Sequence, residues 1–172
     1  MTTQMKASFL KKQGEIAVET IDVPEVRADE VLVQVAAVGV CGSDVHYYAH
    51  GKIGPYVVEE PLILGHELSG VITAVGSDVD PARIGQRVAV EPQRPCGDCF
   101  QCNAGRYNLC PDIEFYATPP IDGAFCEYVT IQSKFAFEIP ESVSFEAAAL
   151  MEPLSVGIWA CERAEVGKGS RV

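Results

Sequence analysis

The chain has 172 residues, of which 48% are hydrophobic and 22% charged, and a formal net charge of −11. That is enough apolar material for one domain with a sizeable core, and it excludes disordered and collagen-like chains. The acidity speaks against nucleic acid or an anionic membrane surface as a partner, because both need clustered Lys and Arg.

Met1 to Leu10 carries Lys6 and no long apolar run follows it. Neither a secretory signal nor a membrane span is expected there, and the location is read as cytoplasmic. Seven cysteines in such a chain are expected to be reduced thiols or metal ligands, since cytosolic disulfides are rare.

From Met5 to Val38 the pattern is short β-branched and apolar runs, such as Glu15 to Ile21 and Val31 to Val35, broken by Gly14 and Pro24. The same grammar returns in Gly70 to Val75, Arg87 to Val90, Phe125 to Ile131 and Phe135 to Ile139. These are expected strands, and their short spacing suggests a barrel or a sandwich.

Between the early strands, Val38 to Gly70 gathers Cys41, Asp44, His46, His66 and Glu67 among apolar residues. That is a metal-site composition: catalytic zinc sites typically use three protein ligands from Cys, His and carboxylate and leave one position open. Cys41 and His66 are two candidates. Glu152, an acid among apolar residues in Leu150-Met151-Glu152-Pro153-Leu154, is the third. Taken singly, the same residues also read as a core thiol, a turn histidine and a helix N-terminal acid favoured by the dipole. His66-Glu67-Leu68-Ser69-Gly70 begins like a helical zinc-protease motif, but Gly70 stands where that motif needs its second His, which disfavours a hydrolase of that type.

Cys96, Cys99, Cys102 and Cys110 follow C-x2-C-x2-C-x7-C. Four thiolates this close fit a closed structural zinc site. An iron–sulfur cluster is the rival, since bacterial ferredoxins use C-x2-C-x2-C-x3-C-P and Pro111 follows Cys110, but the last gap here is seven residues. Cys126 and Cys161 lie in a strand-like and a helix-like run and read as core thiols.

Near the end, Ser144 is a plausible N-cap for Phe145 to Leu150, and Pro153 opens a second helical run to Arg163. In that run Leu154, Ile158 and Cys161 recur at helical spacing beside Trp159, so one side is expected to be apolar and to want a partner.

Together these segments resemble the zinc-dependent medium-chain alcohol dehydrogenases, and within them the sorbitol (polyol) dehydrogenase branch. Gly65 to Gly70 followed by Gly76 is similar to that family's zinc signature. Val40-Cys41-Gly42-Ser43-Asp44 is similar to its first-ligand loop, and the four-cysteine segment to its structural zinc lobe. Glu152 to Val156 and Tyr116-Ala117-Thr118-Pro119-Pro120 are similar to segments of the polyol branch.

The resemblance implies a mainly β, GroES-like β-barrel catalytic domain over residues 1–172. Its zinc lobe would span about 92–112, and short C-terminal helices about 144–164 would lead to a Rossmann domain absent from this chain. Gly167 and Gly169 form only a weak G-x-G. The implied cofactors are two zinc ions per chain, one catalytic (Cys41, His66, Glu152) and one structural (Cys96, Cys99, Cys102, Cys110), with NAD or NADP in the full-length parent and no cofactor-binding residue here.

The implied reaction is oxidation of a polyol such as sorbitol or xylitol to a ketose, with the isolated chain inactive and the parent a homodimer or homotetramer. Ser43 and His46 are then candidates to pass the released proton to solvent, and Glu67 sits near the metal as a second partner or an exchanging ligand. Tyr47 lines the substrate pocket, and His50 reads as an exposed loop residue. The alternatives are a threonine, butanediol or simple alcohol dehydrogenase, and a non-catalytic zinc-bearing GroES-like interaction module.

Overall fold

Alternating valines and isoleucines write the main sheet: Val31 and Val33, Leu68 and Ile72, Val88 and Val90, and Val129 and Ile131 all point into one buried cluster with Phe135. Period-two burial of this kind is what a strand with one packed face produces, and each such side chain contributes roughly 1.5–3 kcal/mol.

The computed structural model describes residues 3–171, so the outermost residues of the expected 1–172 domain lie outside the described residues. In chain order the strands are β1 (Gln4–Lys12), β2 (Glu15–Asp22), β3 (Glu30–Gly39), β4 (Lys52–Ile53), β5 (Tyr56–Val57), β6 (Leu62–Ile63) and β7 (Glu67–Val75). They continue as β8 (Arg87–Val90), β9 (Gln93–Arg94), β10 (Glu114–Phe115), β11 (Tyr128–Gln132) and β12 (Ala136–Glu138). The helices are α1 (Gly42–His50), α2 (Phe100–Asn103), α3 (Phe145–Ala149) and α4 (Met151–Arg163).

The principal sheet is antiparallel in the order β11-β3-β7-β8-β12, and a smaller one runs β2-β1-β6. The architecture is mainly β with few short helices, as expected. No helix among the described residues is long and apolar enough to cross a membrane.

One run departs from the expected strand pattern, and one helix forms where no element is expected. The run Phe125 to Glu127 is not a strand, because its backbone bonds to two different segments: Phe125 N–H donates to Leu64 O at 2.8 Å, and Glu127 N–H to Lys6 O at 3.1 Å. It crosses from the loop before His66 to β1. The segment after Cys41 is a helix, α1, with the chain's turn coming at Gly51, which adopts φ 70° and returns its N–H to Tyr47 O.

At the C-terminal end, Ser144 caps α3 as expected, its Oγ accepting the Ala147 N–H at 3.2 Å. Ser69 Oγ in β7 donates to Phe145 O at 2.6 Å and holds that helix against the sheet. α4 begins at Met151, with Pro153 inside its first turn, where the missing N–H costs no helical bond. Leu154, Ile158 and Trp159 on α4 are exposed, so the apolar side expected there has no cover among the described residues. Residues 164–171 form turns without a strand.

Candidate metal centre

Strand register brings Cys41 and His66 together. β3 and β7 pair antiparallel with Gly39 opposite Glu67 and Val38 opposite Leu68. Cys41 follows the end of β3 by two residues and His66 precedes β7 by one, so antiparallel pairing places both at the same end of the sheet. Cys41, His66 and Glu67 each offer a donor atom, and these atoms lie within 4.8 Å of one another.

Asp44 ties the two segments. Its Oδ2 accepts the Cys41 N–H and its Oδ1 the Gly65 N–H, each at 2.9 Å, and it is buried 3.9 Å from His66 Nδ1. That nitrogen of His66 is buried and has no hydrogen-bond partner. The clamping role was not anticipated; the available signal was the position of an acid three residues after Cys41, the spacing of a capping box at a helix start.

Glu67, expected as a neighbour or exchanging ligand, is a full member of the donor cluster. Its side chain lies over Gly39, where a Cβ would collide with Glu67 Oε2. Glu152, expected as the third ligand, does not join that group. It stands in the first turn of α4, half-buried. Burial raises its carboxyl above the ordinary range, His66 draws it down, and Glu67 pushes it up, so it faces the centre electrically.

A cavity of about 650 Å³ opens beside the centre, lined by Ser43, Tyr47, Tyr56, His66, Phe115 and Thr118 among others. That size suits a small ligand. Tyr47 is buried, and burial raises its phenol above the usual value. Phe115 stands 5.6 Å from the His66 ring at a 58° tilt and also lines a second cavity of about 550 Å³ bordered by Glu152, Ser155 and Trp159. His46, one turn beyond Ser43 on α1, is exposed and does not line either cavity; His50 is exposed at the helix end.

The four remaining donors form a separate cluster. Cys96, Cys99, Cys102 and Cys110 hold their sulfurs within 4.8 Å of one another, and every cysteine is a free thiol. Neither α2 nor the short turn Tyr107–Leu109 buries a residue, and Phe100 is 75% exposed, so this lobe has no apolar core of its own. Within the cluster the Cys102 N–H directed at Cys99 Sγ (3.5 Å) holds that thiol down to about 7, while the Cys96 and Cys102 thiols are raised. Four converging sulfurs in a coreless lobe fit a structural zinc ion. Sulfur, imidazole and carboxylate donors within 4.8 Å of one another fit a second, open one.

Residues 27–141 match the family model described as alcohol dehydrogenase GroES-like domain. The chain is 56% identical over 168 residues to the sorbitol dehydrogenase of Bacillus subtilis (strain 168), covering 98% of this chain and 48% of that protein. It is 48% identical over 166 residues to the D-xylulose reductase of Morganella morganii, covering 96% and 49%. Among solved structures, an Escherichia coli oxidoreductase/dehydrogenase of unknown specificity superposes with a TM-score of 0.89 at 36% identity, over 98% of this chain and 49% of that one. The chain thus spans about half the length of the relatives it matches. On the family-model match over residues 27–141, which spans more than half of its length, the chain belongs to the alcohol dehydrogenase GroES-like domain family.

Proposed function

We propose that this chain is the metal- and substrate-binding part of a zinc-dependent oxidoreductase that oxidises a secondary hydroxyl of a polyol, of sorbitol or xylitol type, to a ketose with NAD or NADP. The observation that carries this reading is the convergence of Cys41, His66 and Glu67 beside a cavity of small-ligand size. The relatives named for sorbitol and D-xylulose support the substrate class.

Cys41, His66 and Glu67 would hold the catalytic zinc, with Glu152 near enough to feel the charges of His66 and Glu67. A zinc ion there supplies Lewis acidity that lowers the pKa of a bound hydroxyl. Ser43 Oγ, on the cavity wall, accepts the substrate proton, and His46, three residues on along the same helix face, hands it to water. The Tyr47 phenol, kept protonated by burial, donates to a further hydroxyl of the polyol. Phe115 closes the wall against water.

Cys96, Cys99, Cys102 and Cys110 would hold a second, structural zinc whose binding free energy is folding free energy for the lobe. The chain spans about half the length of its relatives, and the nicotinamide site is assigned to the part of such a protein that this chain does not span. Turnover by the chain alone is accordingly expected to be absent, and the parent is read as a homodimer or homotetramer acting in the cytoplasm.

The test is metal analysis of chain prepared without chelator, followed by calorimetric titration of the zinc-loaded chain with sorbitol, xylitol, threonine and butane-2,3-diol. Two zinc ions and polyol binding that disappears in Cys41→Ser support the reading. Preferential binding of threonine or the diol moves the substrate, and absence of zinc at Cys41 leaves only an interaction module.

A further inference from the structure

We infer that His46 and His50 form a separate surface chelate for a divalent transition metal of the Ni²⁺ or Cu²⁺ kind. The chain has only three histidines, and His66 belongs to the centre described above. The other two stand four residues apart on α1, both exposed, with ring centroids 4.4 Å apart and planes inclined at 52°. This i, i+4 spacing puts two imidazoles on one helix face, the same relation that helical zinc motifs use.

The platform beneath the pair is fixed. An exposed helix end ordinarily frays, but here three of the last four carbonyls of α1 are engaged. Tyr47 O accepts the Gly51 N–H at 2.8 Å, Tyr48 O the Gly14 N–H at 2.8 Å, and Ala49 O the Gln13 side-chain amide at 2.6 Å. The turn connecting β1 and β2 therefore clamps the end of α1, and buried Tyr47 anchors it from below. A chelate built on an ordered turn loses little conformational freedom on binding. The negative end of the helix dipole, at His50, favours a cation there.

Donor chemistry decides the metal. Two imidazoles completed by water suit Ni²⁺ and Cu²⁺ in tetragonal geometry, whereas the thiol-rich clusters of the chain suit zinc. A metal on this pair occupies the imidazole lone pairs, so His46 can no longer take a proton. Inhibition of turnover by such ions would follow. That consequence rests on the proton-exit role proposed for Ser43 and His46, while the binding itself does not.

The experiment titrates untagged, zinc-loaded chain with Ni²⁺, chosen because Cu²⁺ oxidises thiols, and reads both stoichiometry and paramagnetic broadening of backbone amide resonances. One Ni²⁺ beyond the two zinc ions is expected, with broadening centred on residues 46–50 and sparing the four-cysteine lobe. His50→Gln is expected to lose that equivalent while keeping its zinc content and melting temperature, since His50 is exposed and bonds nothing else. Equal Ni²⁺ uptake by His50→Gln, or broadening centred on Cys161 instead of α1, overturns the site. Because no turnover is measured, the result stands whether or not the polyol reading survives.

Discussion

Gly65 and Asp44, 21 residues apart, are joined by a buried 2.9 Å hydrogen bond from the Gly65 N–H to Asp44 Oδ1. Since Asp44 Oδ2 also receives the Cys41 N–H, one carboxylate fixes the segments that carry Cys41 and His66. Hydrogen bonds to a charged partner are each worth about 1.5–3 kcal/mol net. Asp44→Ala is therefore expected to cost about 3 kcal/mol, or roughly 6–12 °C in melting temperature for a chain of this size. It should also lose zinc at the Cys41 centre while the cysteine lobe keeps its own. Thermal melts paired with metal analysis check this, and a wild-type melting curve would remove Asp44 from the role of clamp.

Gly39 leaves the space that the Glu67 carboxylate occupies. Gly39→Ala is expected to push Glu67 out of the donor cluster and weaken zinc at Cys41 and His66 by about 10-fold or more, the range seen when groups supporting a metal site are altered. β3 should persist, because alanine is tolerated in strands. Competitive zinc titration against a chromophoric chelator measures the loss; unchanged affinity would mean that Glu67 does not contribute.

The two donor clusters should separate cleanly by mutation. Cys41→Ser is expected to reduce zinc from two ions to one with little change in melting temperature. Cys99→Ser, like chelator treatment, is expected to melt the lobe, since no buried side chain of α2 or Tyr107–Leu109 replaces the metal. Circular dichroism melts with and without chelator read the difference. An unshifted Cys99→Ser curve would argue against zinc there.

Cys126 tests the electrostatics of the interior. Burial pushes its thiol up to about 12, so at pH 8 it is protonated and unreactive, whereas Cys161 on α4 is exposed. Iodoacetamide at pH 8 on zinc-loaded chain should modify Cys161 and spare Cys126, as peptide mass mapping will show. The folded thiol has a higher pKa than the unfolded one, so the folded state holds its proton longer. Its contribution to stability is complete below the unfolded value near 9 and falls as pH rises toward about 12. Cys126→Ala should flatten that alkaline decline; rapid labelling of Cys126 at pH 8 would contradict its burial.

Much of the architecture was legible in period-two runs such as Val31 to Val35 and Arg87 to Val90, because a strand's burial pattern is written locally. Phe125 to Glu127 looked like a strand for the same reason and is not one, since pairing depends on which neighbours the backbone meets. Helix α1 was hidden because Tyr47 and Asp44 are its only buried residues, too few to show a helical stripe.

By itself the sequence determined that the four cysteines cluster, since residues separated by two, two and seven positions converge within one short loop whatever the rest of the chain does. It also marked Cys41 and His66 as a pair of metal-ligating types. Only the tertiary structure decided that Glu67, and not Glu152, stands with them: the Gly39–Glu67 register of β3 and β7 and the space over a residue without a side chain are set by pairing between distant segments. Local spacing can specify a site whose ligands share a loop, but a site built between strands is specified by their register, which no short stretch contains.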